Sequence, residues 1–223
     1  MDATRPDPPA PKRAPLIRLQ PEPWRPLQPQ LQPQPEPDPD RARPVVLVGL
    51  MGAGKTSVAT RVARALGRRL RDSDRELWQR HGQSAAEQFR QAGAGALHAR
   101  EAALLREALA ERPAPVIAAA ASVVEDPACR AALAGAYVVW LDAPPGVLAD
   151  RIRDATAGPA GGGPADHRPR YPDPAAVLAA QHRRRAGWFR AVADLMVDAS
   201  AGTPETAAAA VLAGLASAPP GCD

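Results

Sequence analysis

One motif constrains the fold of this chain more than any other feature, the segment Gly49-Leu50-Met51-Gly52-Ala53-Gly54-Lys55-Thr56. It has the spacing G-x4-G-K-T, and it lies between the apolar run Val45–Val48 and a helical stretch. Its glycines allow backbone N–H groups to converge on one point, and the start of the helix adds positive partial charge there. Phosphate oxygens are the natural ligand of such a loop. The motif therefore predicts a nucleotide-binding P-loop between a strand and a helix.

The motif also predicts most of the nucleotide contacts. We expect Lys55 to reach the β- and γ-phosphates, and the Thr56 hydroxyl to bind magnesium. Only Lys12 and Lys55 are lysines among the 28 basic residues, so the one lysine beyond residue 44 lies in the motif that requires it. The loop residues predicted to bind the nucleotide are Gly52, Ala53, Gly54, Lys55, Thr56 and Ser57.

Proline divides the chain into two parts. Residues 1–44 contain 14 of the 27 prolines, interleaved with Gln, Glu and Asp. Such a segment cannot bury enough apolar surface to offset the entropy of ordering, and its composition favours polyproline II. We expect a disordered or extended arm at 1–44, which is either a spacer or a docking ligand for a proline-binding protein. The folded domain is predicted at 45–223.

Within that domain, short β-branched runs alternate with long stretches rich in Ala, Leu and Arg. This alternation is typical of a parallel sheet with helices on both faces. Helix starts are indicated by Ser84 with Glu87 three residues later, and by capping residues directly before Pro127 and Pro204. The predicted fold class is a three-layer α/β/α domain with a five-stranded parallel sheet. The strands are expected at 45–48, 69–72, 116–119, 137–141 and 195–197.

A glycine- and proline-rich segment interrupts the helical pattern late in the chain. Residues 154–174 contain Gly161-Gly162-Gly163 near their centre and several prolines around it. Such a composition disfavours a continuous helix. We expect a mobile lid at about 154–174.

Composition and charge exclude several classes of protein. Beyond residue 44 the chain has 21 basic against 18 acidic residues and no nucleic-acid-binding motif, so nucleic acid is not an expected partner. No apolar run approaches the roughly 20 residues of a membrane helix. The start of the chain lacks the pattern of a secretory signal, and two cysteines are too few for a disulfide framework. We therefore expect a cytoplasmic protein that does not enter a membrane.

The phosphoryl acceptor requires residues outside the P-loop, and Arg71-Asp72-Ser73-Asp74 at the end of the second predicted strand provides candidates. In an extended strand, carboxylates two residues apart face the same way, so Asp72 and Asp74 would both face the phosphates. One would hold magnesium and the other would take a proton from a hydroxyl group. Two alternatives remain open. Asp74 could instead cap the helix that follows. Asp142, after the run 138–141, could supply the magnesium ligand. We prefer Asp72, because Asp142 leads into Ala143-Pro144-Pro145, which indicates a βα turn.

Taken in order along the chain, these features resemble the shikimate kinase family. The resemblance covers nearly the whole predicted domain and implies transfer of the γ-phosphoryl group of ATP to a ring hydroxyl of shikimate, in aromatic amino-acid biosynthesis. It also implies a magnesium cofactor and a monomer. The segments that carry it are the P-loop with its strand, Leu66-Gly67-Arg68, Asp72-Ser73-Asp74, residues 82–89, residues 138–141, Arg168-Pro169, residues 184–186 and residues 193–198.

The resemblance assigns roles to individual residues. Thr56 and Asp72 match the magnesium ligands, and Asp74 matches the residue that binds the shikimate hydroxyls and acts as the base. Guanidinium groups suit both phosphate and carboxylate, because they can donate two parallel hydrogen bonds. The arginines matched to the adenine, to the ATP phosphates under the lid and to the shikimate carboxylate are Arg151, Arg168 and Arg185, respectively.

Two departures from the family pattern fall in the acceptor half of the site. A glycine triplet is replaced by Ala120-Ala121-Ser122, where each strained Cβ would cost about 1 to 3 kcal/mol, so the substrate contact at Ala121 is expected to differ. The second arginine of the carboxylate clamp is replaced by His98. The lost charge-assisted bond is worth about 1.5 to 3 kcal/mol, and His98 recovers part of it only when protonated. Arg100 is no substitute, because residues two apart on a helix point to different sides.

Three functional hypotheses follow. The favoured one is an ATP- and magnesium-dependent kinase that acts on shikimate with Lys55, Asp74 and Arg168 as catalytic residues. The second keeps the chemistry but changes the acceptor to another small hydroxy or sugar acid, because of the two departures. The third is a catalytically impaired nucleotide-binding protein whose proline-rich arm recruits a partner.

Overall fold

The computed structural model describes residues 16–17, 43–157 and 171–218. They form six strands and seven helices, joined in two places by short 3-10 turns at Val123–Glu125 and Leu133–Gly135. The strands are β1 (Leu16–Ile17), β2 (Val45–Val48), β3 (Leu70–Asp72), β4 (Val116–Ala118), β5 (Tyr137–Asp142) and β6 (Leu195–Asp198). The helices are α1 (Lys55–Leu66), α2 (Ser73–His81), α3 (Ala85–Ala110), α4 (Pro127–Ala132), α5 (Pro145–Ala157), α6 (Pro174–Val192) and α7 (Pro204–Ser217).

All strand pairs in the sheet are parallel, in the order β1-β6-β5-β2-β4-β3. The five predicted strands are present, with bounds that differ by one residue at most, and the α/β/α fold class is confirmed. Strand β2 lies between β4 and β5, so the chain leaves it in one direction and later returns on its other side. Ligands of open parallel sheets bind at such a switch point, beyond the carboxyl ends of the strands. The P-loop follows β2 at this point.

A sixth strand was not expected from the sequence. Leu16 pairs with Met196 and Ile17 with Val197, which adds β1 beside β6 within the predicted proline-rich arm. The expected disordered or extended arm therefore contains a strand at these two residues. The apolar pair Leu16–Ile17 suits a strand, because it interrupts the proline-rich pattern. The rest of 1–42 lies outside the described residues.

The helices on either side of the predicted lid extend into its expected range, 154–174. Helix α5 continues to Ala157 and helix α6 begins at Pro174, with the Asp173 side chain accepting a hydrogen bond from Ala176 N at 3.0 Å as its N-cap. Residues 158–170, which include Arg168, lie outside the described residues.

The central strands form the core of the domain. Every residue of β2 is fully buried, and the β5 residue Trp140 stacks on Phe189 of α6 with ring centroids 5.6 Å apart. Burying a side chain of this size stabilises the fold by about 1.5 to 3 kcal/mol. None of the helices within the described ranges is long and apolar enough to cross a bilayer.

The predicted helix starts are confirmed. Ser84 and Glu87 form a reciprocal capping box at the start of α3, Asp126 caps α4 and Thr203 caps α7. Each cap satisfies an N–H group that would otherwise lack a partner. Helix α3 is interrupted at Gly93, whose φ of 77° and ψ of 172° are not helical.

Candidate active site

The P-loop requires glycine at two positions for steric reasons. Gly49 has φ 144° and Gly52 has φ 85°, where side chains are strained. A Cβ on Gly49 would lie 2.4 Å from the Leu141 carbonyl oxygen, and a Cβ on Gly52 would lie 2.7 Å from that of Leu148. The loop therefore packs directly on the backbone of β5 and α5, which fixes the direction of its N–H groups.

Lys55 is the first residue of α1, and its side chain lies over the loop. Its Nζ donates to the carbonyl oxygens of Gly49 at 3.0 Å and of Leu50 at 3.2 Å. The ammonium group is thus held at the mouth of the loop, where a phosphate chain bound by the N–H groups would meet it.

Thr56 and Asp72 come together beside Lys55. The Thr56 hydroxyl donates to Asp72 Oδ2 at 2.7 Å, while Asp72 Oδ1 accepts from Arg75 N at 3.0 Å and so caps α2. The capping residue is therefore Asp72, and Asp74 lies in the first turn of the helix. The expected extended geometry of the pair is wrong, because α2 begins at Ser73. Both carboxylates nevertheless face the same cleft.

A cleft of about 1120 Å³ extends from the P-loop along the carboxyl ends of the strands. Its walls come from the P-loop, the start of α2, helix α3, the loop after β4, and helices α5 and α6. The predicted site residues that line it are Gly52, Gly54, Lys55, Thr56, Ser57, Asp72, Asp74, His98, Ala121, Arg151 and Arg185. A smaller cavity of about 180 Å³ adjoins the loop, and Gly52, Ala53, Gly54 and Arg151 border it.

Asp142, the alternative magnesium ligand, has a different position. It ends β5, and its Oδ1 lies 3.2 Å from His182 Nε2. Asp142 is not among the described residues that line the main cleft. The hydrogen bond between Thr56 and Asp72 supports the preference for Asp72 over Asp142.

His98 does not provide the positive charge considered for it. It is half-buried, and burial lowers its pKa, as do the nearby Arg185 and Arg184, against the opposing effect of Glu125. The lowered pKa favours the neutral form of His98 at pH 7. Arg100 does not replace it either, because it is not among the described residues that line the cleft, and its guanidinium donates to Gln88 Oε1 at 2.6 Å. The second half of the predicted carboxylate clamp is thus without charge.

Glu101, a polar residue of the cleft, was not singled out from the sequence. Glu101 is only 6 % exposed, and its carboxylate accepts a hydrogen bond from the Ser122 hydroxyl. Burial raises the pKa of Glu101 to about 7, with a further contribution from the charge of Asp74. The sequence contains one indication of this burial. Glu101 follows Leu97 by four residues and precedes Leu104–Leu105 on α3, and a carboxylate on the apolar face of a helix is buried on folding.

Arg185 is the most buried arginine of the site, at 5 % exposed. Its Nε donates to Glu125 Oε1 at 2.6 Å, and one Nη donates to Gln181 Oε1 at 3.2 Å. Arg184 also lines the cleft and donates to the same Glu125 oxygen at 2.6 Å. Arg183 is exposed, in agreement with the expectation that at least one of these three arginines faces solvent.

A P-loop at the switch point of a parallel sheet, with a lysine at its mouth and two carboxylates that line the same cleft, is typical of a P-loop phosphotransferase. The family model for shikimate kinase matches residues 51–216. The chain belongs to the shikimate kinase family.

Individual relatives agree with this assignment. The chain is 36 % identical over 163 residues to the shikimate kinase of Aromatoleum aromaticum, which covers 72 % of this chain and 87 % of the relative. It is 36 % identical over 168 residues to the shikimate kinase of Thermobifida fusca, and this match covers 75 % of this chain and 92 % of the relative. A solved structure of Acinetobacter baumannii shikimate kinase in complex with shikimate superposes with a TM-score of 0.70 at 28 % identity, over 80 % of this chain and 95 % of that one.

Proposed function

We propose that the protein is a shikimate kinase that transfers the γ-phosphoryl group of ATP to a hydroxyl of shikimate, giving 3-phosphoshikimate and ADP. The observation that carries the proposal is that the P-loop and Asp74 line one cleft. The relatives named shikimate kinase and the neighbour that binds shikimate support the choice of acceptor.

The nucleotide half of the cleft suits ATP. Backbone N–H groups of 52–57 would bind the phosphates, and Lys55 would contact the β- and γ-phosphates. Arg151 borders both the main cleft and the smaller cavity, where an adenine base would lie against its guanidinium. Arg168 is proposed from the sequence alone as the lid residue that closes over the phosphates.

The donor set near the P-loop suits magnesium. No group of three or more His, Cys, Asp or Glu side chains within 43–157 and 171–218 could hold a metal ion. Mg²⁺ usually takes only one or two protein oxygens and completes its shell with phosphates and water, which the Thr56 hydroxyl and the Asp72 carboxylate permit. When bound, the ion would neutralise charge on the phosphate oxygens.

The acceptor half supplies the base and the contacts that orient the substrate. Asp74 would accept the proton of the shikimate hydroxyl. At the same time the hydroxyl oxygen would form a bond to the γ-phosphorus, and the bond between that phosphorus and the ADP oxygen would break. Arg185 would pair with the shikimate carboxylate, while His98 and Ala121 would contact the same molecule. Lys55 would stabilise negative charge on the transferring group.

Release of ADP tests the proposal directly. Purified protein with ATP, magnesium and shikimate should release ADP, and Asp74→Asn should lose turnover while it binds ATP with unchanged affinity. Asp150→Asn, an exposed change on α5, is the matched control and should keep both properties. Absence of turnover above background in the folded wild-type protein would refute the proposal.

A second acceptor is favoured by specific residues. Ala120-Ala121-Ser122 lines the cleft with side chains, and His98 is neutral, so a different hydroxy or sugar acid could fit better. A panel of acceptors in the same assay distinguishes the two, since shikimate preferred by more than tenfold would exclude this alternative.

As part of the main proposal we also place the enzyme in the cytoplasm as a monomer in aromatic amino-acid biosynthesis. Light scattering after size exclusion tests the oligomeric state.

A further inference from the structure

The acceptor end of the cleft contains a carboxylate that already occupies its arginines. Glu125 ends the 3-10 turn that follows the loop Ala120–Ser122, and one of its oxygens, Oε1, accepts hydrogen bonds from both Arg184 and Arg185 at 2.6 Å. Both arginines line the cleft. The protein therefore places its own anion on the two groups best suited to bind an anionic acceptor.

Glu125 carries a full negative charge at neutral pH. Burial acts to raise its pKa, but the hydrogen bonds from Arg185 and Arg184 outweigh that effect, and the pKa is lowered. His98, on the same wall, is neutral. The acceptor end thus has two guanidinium charges, one of which is offset by Glu125.

The backbone of the Glu125 turn is anchored. Glu125 N donates to Ser122 O at 2.8 Å, and the Arg130 guanidinium donates to Glu125 O at 3.0 Å. An Nη of Arg185 donates to Gln181 Oε1 at 3.2 Å. A guanidinium has five N–H donors, so an acceptor carboxylate can bind the outer edge of Arg185 while Glu125 keeps Nε. The acceptor would then bind in the field of a fixed negative charge.

We propose that Glu125 is a specificity-determining residue that reduces the preference of this site for an anionic acceptor over a neutral one. This inference rests on the proposed function, because it takes shikimate as the anionic acceptor. At an effective dielectric constant of about 20, two unit charges several ångströms apart interact strongly enough for one charge to change affinity on the order of tenfold or more. Removing the Glu125 charge should change the preference by about that factor.

The test compares two acceptors that differ in charge and by one methyl group, and the effect of the methyl group cancels when the ratio is compared between variants. We would measure kcat/KM for shikimate and for shikimate methyl ester with wild type, Glu125→Gln and Glu125→Ser, and the KM for ATP and the melting temperature of each. Glutamine keeps an acceptor oxygen for the arginines but removes the charge. Glu107→Gln is the matched control, because Glu107 also pairs with an arginine but does so on the exposed surface between α2 and α3.

Support requires that the ratio of kcat/KM for shikimate to that for the ester rises about tenfold in Glu125→Gln, while the KM for ATP and the Glu107→Gln ratio stay at wild-type values. Equal losses on both acceptors, or loss of folding in both Glu125 variants, would show a purely structural role and overturn the inference. An unchanged ratio in an active, folded variant overturns this inference alone. Absence of turnover in the wild type overturns the proposed function together with it.

Discussion

Replacing Glu101 by glutamine should stabilise the protein at neutral pH and leave its stability unchanged in acid. Burial raises the pKa of Glu101 from 4.5 to about 7. Below pH 4.5 the carboxyl group is protonated in both the folded and the unfolded chain, so it has no pH-dependent effect. Between pH 4.5 and 7 the unfolded chain ionises while the folded one keeps its proton, so stability falls as pH rises.

The size of this effect follows from the two pKa values. A difference from 4.5 to about 7 corresponds to about 3 kcal/mol of lost stability, which is complete above pH 7. Glutamine does not ionise, and its amide oxygen can still accept from the Ser122 hydroxyl. The stability gained by Glu101→Gln should therefore grow from about zero at pH 4 to about 3 kcal/mol at pH 8.

Urea unfolding of both proteins at intervals between pH 4 and 8 measures this difference. Glu107→Gln, on the same helix but largely exposed, is the control and should show no such gain as pH rises, because Arg80 lowers the pKa of Glu107. A difference between Glu101→Gln and wild type that stays constant with pH would refute the assignment of a buried carboxyl group with a raised pKa.

Three further predictions concern the cleft. Asp72→Asn should raise the magnesium concentration needed for half-maximal activity about ten- to hundredfold, because it removes a charge-assisted contact; a titration with Asp150→Asn as control measures this, and an unchanged requirement would favour another ligand. Gly52→Ala should destabilise the protein by about 1 to 3 kcal/mol and weaken ATP binding, because its Cβ would approach the Leu148 carbonyl at a positive φ; thermal unfolding measures the loss, with Gly146→Ala as the control because a Cβ there would have open space, and equal melting temperatures for the two variants would contradict the prediction. His98→Arg should lower the KM for shikimate about tenfold or more and leave that for ATP unchanged; steady-state kinetics check it, and an equal effect on both substrates would argue against a local contact.

Much of the fold could be predicted because local signals agreed with one another. The P-loop motif, the β-branched runs and the Ser84–Glu87 capping box each depend on a few neighbouring residues. Strand β1 could not be predicted, because two apolar residues among prolines give no periodic pattern and their pairing with β6 is long-range. The continuation of α5 to Ala157 was missed for a similar reason, because composition alone assigned residues 154–157 to a loop.

The candidate site was predictable where a motif names the residue, and not where distant segments meet. Lys55, Thr56 and Asp72 lie together as expected. The contacts of Glu125 with Arg184 and Arg185 join segments about 60 positions apart, which no spacing rule connects. The neutral state of His98 depends on burial and on those same arginines, so it required three-dimensional information.

The short strand β1 also bears on how this protein can be shortened. By pairing with Met196 and Val197 it occupies the outer hydrogen-bonding groups of β6. A protein trimmed to begin at Arg43 would leave that row of N–H and C=O groups open along a mostly apolar strand, which is the geometry that templates pairing between chains. We therefore expect a protein that retains Leu16 and Ile17 to aggregate less readily at this margin of its sheet than one that begins at Arg43.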